Sequence, residues 1–424
     1  MTQEFRGLSQ AAHSPAASRA ALTSGHSAAA RAAGSARLRQ SVPATVSSAW
    51  RELLHGSSAT IPALDALRSL AILLVFSTHA YWSFSEQTKS ALAIGRFPLI
   101  FFGWTGVDLF FVLSGYLIGK QLWRELQRTG DIRIGRFLLR RGLRIWPYYF
   151  AFCGLTILLS QSPLAKFWPD LTFLSNYFSS GVSGGWSLST EEQFYLFVPV
   201  LFFVVSRMVR LSRQWIVLLA LLLALPVIRG IVLSLHGAHQ HGADDLYFVT
   251  FAPFHTHADG LVAGLLLSWL SVVHPATTGA RRFLGNIAAP ALLVTTGLIL
   301  RVANQDLFAF SGLAAVYAGL TLFFLRDRSW FTRITGARVF HLGSRLSYAM
   351  YLNHFLVLAY LAPLLWHRNS GWSLTVWGFL GGYAVALTLS VAAAAMTFTA
   401  IEWPFLQLRD HWLHRAAGAE HPAA

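Results

Sequence analysis

From Ile61 onward the chain alternates long apolar stretches with short polar connections. The apolar runs fall at roughly Ile61 to Trp82, Phe97 to Gly119, Ile145 to Ser160, Gln193 to Ser206, Trp215 to Leu235, Phe251 to Val273, Ile287 to Leu300, Leu307 to Leu325, Ser347 to Leu365 and Leu374 to Ile401. One crossing of the hydrocarbon layer takes about 20 apolar residues in an α-helix. The pattern therefore predicts an all-α fold, a polytopic transmembrane helix bundle of about ten spans. The stretch from Phe167 to Phe178 is too short to cross and too apolar for open water, which predicts a re-entrant or interfacial segment.

The flanks read differently. Residues 1–58 are rich in Ala, Ser and Arg with almost no long apolar run, a composition that predicts a disordered tail. Its acid-poor, Arg-containing character also suits an organelle transit peptide, but it has no apolar core of a secretory signal. The expected organisation is a tail over 1–58, a membrane domain over 59–408 and a short tail over 409–424, with no room for a large extramembrane domain.

Composition agrees. Of 424 residues 54% are hydrophobic and only 12% charged, with 15 Trp and 32 Phe. A water-facing surface cannot be built from so few charges. The net charge of +15 would suggest nucleic acid as a partner of a soluble protein. In a membrane protein cations gather in cytoplasmic loops instead, so no nucleic acid is expected. Alternating ten spans puts 26 Lys and Arg on one side and five on the other, with Arg68 and Arg229 inside spans. Both termini are therefore expected in the cytoplasm, and the expected location is the plasma membrane. The single cysteine, Cys153, excludes an internal disulfide and makes a thiolate metal site unlikely to form.

Ionisable residues inside apolar spans are the first candidates for chemistry, because a charge facing lipid costs several kcal/mol. The first span carries Asp65, Arg68 and His79. At 100° per residue all three fall on one helix face, with Arg68 and His79 about 16 Å apart along the axis. A pair between Asp65 and Arg68 plus a histidine bonded to a carbonyl is the structural alternative. Asp108 lies in the second span beside Ser114 and Gly115, small residues that allow close helix approach. Asp108 fits either a structural partner of an arginine or a wall of a substrate site.

The segment RFLLRRGLRIWPYY spaces Arg141 and Arg144 three apart, on an interfacial helix expected to stop at Pro147. Guanidinium forks there suit phosphate groups, and ordinary positive-inside anchoring is the alternative. GGWSLSTEEQF places Glu191 and Glu192 at a helix mouth, with Trp186 and Ser187 as a substrate-facing rim. The carboxylates suit either acceptor chemistry or simple capping of the helix by Ser189 or Thr190. Asp259, with His255 and His257, opens the sixth span, and Asn353 and His354 fall inside the ninth. The loop residues His236, His239 and His241 have a loosely metal-like spacing, but no Cys or carboxylate set completes a site, so no metal is expected. No nucleophile elbow, P-loop or zincin motif is present.

The pieces LDALRSLAILLVFSTHA, GVDLFFVLSGYLI, RRGLRIWPYY, WSLSTEEQFYLFVP, ADGLVAGLLL, LSYAMYLNHF and IEWPF occur in this order between about 61 and 406. Together they resemble the family-3 integral membrane acyltransferases, which include bacterial polysaccharide O-acetyltransferases. The resemblance implies an essential role for Arg68 and His79 in acyl transfer from a CoA thioester, and an acyl-donor role for Arg141 and Arg144. It matches the family's Trp-Ser-Leu and Glu-Glu-Gln motif to Trp186, Ser187, Leu188, Glu191, Glu192 and Gln193. Many relatives carry an arginine two positions before the aspartate of the sixth span, where this chain has His257. Some carry an extra esterase-like domain that this chain lacks, so transfer is expected to finish in the membrane unit or on a separate partner.

The expected function is O-acyl transfer, acetyl by family habit, from cytosolic acyl-CoA to a hydroxyl of a carbohydrate or glycolipid acceptor. His79, Glu191, Glu192 and Asp65 are the expected catalytic residues. Arg68, Arg141 and Arg144 are expected to hold the donor, and Trp186, Ser187, Asp108, Asp259 and His354 the substrate. No permanently bound cofactor is expected, the partners are membrane lipids and the acceptor, and a homo-oligomer is compatible. The rival from another class is a proton-coupled transporter whose path would use Asp65, Asp108, His79 and Arg229.

Overall fold

The computed structural model describes residues 46–55, 61–84, 86–236, 246–273, 286–326, 334–362, 364 and 375–419. Among them there is no strand, and the unit that starts at Val46 is a helix bundle. Its helices are α1 (Val46–His55), α2 (Pro62–Trp82), α3 (Gly106–Thr129), α4 (Ile134–Leu159), α5 (Gly185–Met208), α6 (Gln214–Leu235), α7 (Asp259–Val272), α8 (Ala288–Ala303), α9 (Gln305–Phe324), α10 (Arg338–Ala362), α11 (Val376–Thr397) and α12 (Trp403–Ala419).

Each expected apolar segment overlaps one of these helices. Among the described residues six stretches are both long and apolar enough to cross a membrane, namely α2, α4, α5, α9, Leu211–Leu235 and Val376–Trp412. The other four segments differ for visible reasons. α3 carries Lys120, Arg124, Glu125 and Arg128 in its second half, and α10 begins with Arg338, His341 and Arg345. α7 and α8 are only 14 and 16 residues long. α7 is short because the chain before it forms a π-helical turn, Tyr247–Phe251, and then a bend.

Three boundaries depart from the sequence reading. α1 lies inside the stretch read as a tail: Ala49 and Leu53, four residues apart, are fully buried, and Trp403 donates its indole N–H to Ser48. α12 runs through position 409, where a tail was expected to begin. Helix α4 does not stop at Pro147 but contains it, as α5 contains Pro199 and α6 contains Pro226. In a bundle at membrane depth neighbouring helices can satisfy carbonyls that a proline disturbs. Tyr348 of α10 donates its hydroxyl to the Ile145 carbonyl at 2.8 Å, in the turn before Pro147.

α3 and α7 pack closely because each is bare where they cross. A Cβ on Gly115 would sit 2.1 Å from the Leu261 carbonyl oxygen, and one on Gly264 would sit 2.2 Å from the Val112 carbonyl oxygen. Close approach of this kind is how small residues join helices in lipid. On the other side of α2, α10 is tied by Asp65, which accepts from Ser344 Oγ at 2.7 Å and meets His341 Nδ1 at 3.0 Å. Glu52 of α1 pairs with Arg345 of the same helix. The helices α2, α3, α4, α5 and α10 thus surround one space.

Candidate active site

That space is a cavity of about 330 Å³. Arg68 enters it from α2, Ser114 and Gln121 from α3, Arg141 and Arg144 from α4, Ser187, Glu191 and Tyr195 from α5, and Tyr348 and Tyr351 from α10. Its polar groups are arranged along the bundle axis. Gln121 and Arg141 belong to the halves of α3 and α4 that meet at the 130–133 turn. Ser187 stands in the first turn of α5 at the opposite end.

The arginine end gathers three guanidinium groups. Arg141 donates to Gln121 Oε1 at 3.2 Å and lies over the rings of Phe137 and Tyr195, each 5.7 Å away. Arg68, which lies 11 residues before His79 on α2, has a buried Nε with no hydrogen-bond partner. A buried donor left unmade costs about 1–3 kcal/mol, so Arg68 is held here at a cost to stability. Glu191 is the one carboxylate on the lining, and it accepts the Tyr195 hydroxyl at 2.8 Å. The Tyr195 oxygen lies 3.3 Å from Ser114 Oγ.

At the opposite end Ser187 Oγ bonds the Tyr351 hydroxyl, and both meet the carbonyl of Gly184. Gly184 takes φ of +74°, in the left-handed region, and a Cβ there would come within 2.4 Å of the Phe355 ring. Glycine is required on both counts. Three residues beyond Tyr351, one turn along α10, stands His354, its ring 5.9 Å from the tyrosine's. His354 Nε2 lies 3.1 Å from Nδ1 of His79. His79 is half-buried at the last turn of α2, with Trp82, His354 and Phe355 around its ring at 5.0, 4.9 and 4.5 Å. The histidine pair is not on the cavity lining. The Tyr351–Ser187 pair stands between the two.

The structure therefore brings Arg68, Arg141, Arg144, Ser187 and Glu191 together in one cavity and sets His79 with His354 next to its far end. It distributes the other candidates elsewhere. Glu192 points away from the cavity and accepts the indole N–H of Trp146 at 2.9 Å. Asp65 is the tie between α2 and α10. Trp186 is no open rim: it is 8% exposed and stacked on His257 at 5.6 Å. Asp108 pairs with His257 Nε2 at 2.9 Å, and Asp259 pairs with Arg229 at 2.7 Å. His239 and His241 of the loop triplet lie outside the described residues.

Between α4 and α5, outside the membrane-spanning helices, Asp170 anchors the chain that leads to Ser187. It accepts from the backbone N–H groups of Gly181 and Val182 at 3.1 and 3.2 Å. Burial pushes its carboxyl up to about 6, against the opposing pull of the hydrogen bonds it accepts. Gln193 completes the support by exchanging amide hydrogen bonds with Asn176 and donating to the Phe173 carbonyl.

Sequence reasoning missed Gln121, Tyr195, Tyr348 and Tyr351 on the lining. A signal was available for Tyr351, which shares a face with His354 three positions later. None was available for Gln121, whose partner Arg141 is on another helix.

A family model described as an acyltransferase domain, acyltransferase family 3, matches residues 61–395. The chain is similar to a protein of Staphylococcus aureus (strain COL) named "Putative O-acetyltransferase", 23% identical over 380 residues, 81% of this chain and 57% of the relative. It is similar at 23% to the peptidoglycan O-acetyltransferase of Listeria monocytogenes, over 72% of this chain and 50% of that protein. An O-acetyltransferase of Staphylococcus aureus (strain NCTC 8325) is again 23% identical, over 71% of this chain and 51% of the relative. The chain thus spans about half the length of the curated relatives it matches. No solved structure matches it.

Proposed function

The chain belongs to the family-3 acyltransferases, and from that premise we propose that it moves an acetyl group from cytosolic acetyl-CoA to a hydroxyl of a carbohydrate acceptor on the far side of the bacterial inner membrane. The observation that carries the proposal is a cavity that gathers Arg68, Arg141 and Arg144 at one end and leads at the other, by way of Tyr351 and His354, to His79. The excess of Lys and Arg on one side of the expected spans supports cytoplasmic termini, a topology that turns the arginines toward the donor's side.

In this reading the donor is a substrate. Arg141 and Arg144 take its phosphate oxygens, the match for a planar guanidinium fork. A volume of about 330 Å³ is at the small end of the roughly 300–1,000 Å³ of ligand pockets, which suits an acyl-pantetheine arm with the nucleotide left at the mouth. The arm runs past Arg68 and Glu191 toward Ser187 and Tyr351. Beyond that pair His79 takes the acceptor's hydroxyl proton on Nε2 as the oxygen attacks the thioester carbonyl, which the arm must carry past Tyr351 to reach it. The C–S bond breaks, and the proton returns from His79 to the leaving thiolate.

The transporter reading loses support from the same coordinates. Asp65, Asp108, Arg229 and His79 each pair with a different partner, namely His341, His257, Asp259 and His354. They do not form a connected path. The test is purified protein in lipid vesicles given acetyl-CoA labelled in the acetyl group and an oligosaccharide acceptor. Label on the acceptor that His79→Ala abolishes supports the proposal, and transfer retained in that variant refutes it.

A further inference from the structure

We propose that His354 is the positioning residue of His79, holding its imidazole in the tautomer that leaves Nε2 free to take a proton. The inference rests on the reading of His79 as the base. It starts from two carbonyls. Nδ1 of His354 lies 3.0 Å from the carbonyl oxygen of Met350, one turn earlier in α10. A carbonyl only accepts, so that nitrogen carries the hydrogen, and Nε2 of the neutral ring is a bare acceptor.

That acceptor is the atom 3.1 Å from Nδ1 of His79, and the same Nδ1 is 2.9 Å from the carbonyl of Val75. Two acceptors thus converge on one nitrogen. Nδ1 of His79 must be its protonated atom, shared between them, and the lone pair is left on Nε2. The opposite assignment would set a nitrogen lone pair against a carbonyl oxygen in both rings. Second partners of this kind fix which histidine nitrogen reacts.

The arrangement has the logic of a base oriented by a third group, with an imidazole where a carboxylate is usual. The nearby carboxylates are committed elsewhere, Glu191 to Tyr195 and Glu192 to Trp146. When His79 accepts the hydroxyl proton, its Nδ1–H becomes part of a cation, and the His354 lone pair shares that charge. His354 neither gains nor loses a proton over the cycle. Its ring is fully buried and clamped by Phe355 at 4.1 Å and Phe76 at 6.4 Å, so the acceptor atom is held in place.

The full chain in lipid vesicles, labelled with ¹⁵N-histidine, should show a scalar coupling across the N–H···N bond between His79 Nδ1 and His354 Nε2, with His79 Nε2 unprotonated. In the acetyl-transfer assay His354→Phe should lower turnover about 10- to 100-fold with the KM for acetyl-CoA unchanged. His354→Gln, whose side-chain carbonyl can accept the same hydrogen, should recover most of the loss. Wild-type turnover in His354→Phe, no recovery in a folded His354→Gln, or a hydrogen on His79 Nε2 would overturn the proposal. The coupling is read without turnover, so activity retained in His79→Ala would sink the assignment of the base separately from the hydrogen bond.

Discussion

Arg229 of α6 and Asp259 of α7 form a two-pronged ion pair that is fully buried, with Nη1 2.7 Å from Oδ2 and Nη2 3.1 Å from Oδ1. The remaining donors of the guanidinium reach the carbonyls of Leu307 and Thr256 and the Ser311 hydroxyl, so no hydrogen is left unmade. Two positions before this aspartate stands His257, which turns to Asp108 on α3, and the arginine comes from another helix.

A buried charge that loses its partner costs about 3–5 kcal/mol. Arg229→Leu should therefore lower the thermal midpoint of the detergent-solubilised protein sharply. The paired change Arg229→Leu with Asp259→Leu should cost less than the sum of the two single changes. Equal melting of Arg229→Leu and wild type would show that the pair carries no weight.

The two adjacent glutamates should separate. Glu191 lines the cavity and Glu192 faces Trp146 outside it. Glu191→Gln should reduce acetyl transfer at least tenfold, while Glu192→Gln should keep most of the transfer and lose thermal stability. The comparison needs only initial rates and a melting curve for each variant.

Donor binding should follow the arginines. Removing a charged hydrogen-bond partner costs about 1.5–3 kcal/mol, so Arg141→Ala and Arg144→Ala should raise the KM for acetyl-CoA about 10- to 100-fold. Lysine at either position should restore little, because it lacks the fork. An unchanged KM in both alanine variants would remove the donor from this end of the cavity.

Asp170 gives a pH dependence of stability. Its folded pKa is about 6, above the roughly 3.9 of an unfolded aspartate. The protonated form is favoured by folding, so the contribution is complete below about 3.9 and is lost as pH rises through about 6. Asp170→Asn keeps a carbonyl acceptor for Gly181 and Val182 but cannot ionise. Between about pH 4 and 7 the melting temperature of wild type should fall relative to that variant, and parallel curves would refute the assignment.

Much of this was legible along the chain. Apolar run lengths located the helices, and the spacing of Arg68 and His79 put both on one face of α2. The intramembrane cost of charge also singled out Asp65, Asp108 and Arg229 correctly as residues that need a reason, yet not what the reason was. Partners such as His341, His257 and Asp259 come from other helices, and helix order does not reveal which faces meet. Pro147 misled because the rule that proline ends a helix belongs to water, whereas α4 continues through it with neighbouring helices packed around it. Helix α1 was hidden by averaging, since its Ala49 and Leu53 spacing is local to a stretch dominated by Ala and Ser.

Covalent transfer to a carbohydrate that depends on His79 can be read from mass spectrometry of the surface glycans and glycolipids of cells with the protein, without it, and with His79→Ala. Glycans or glycolipids should be heavier by one acetyl group only where the wild-type chain is present. Identical spectra in all three would contradict the proposed activity.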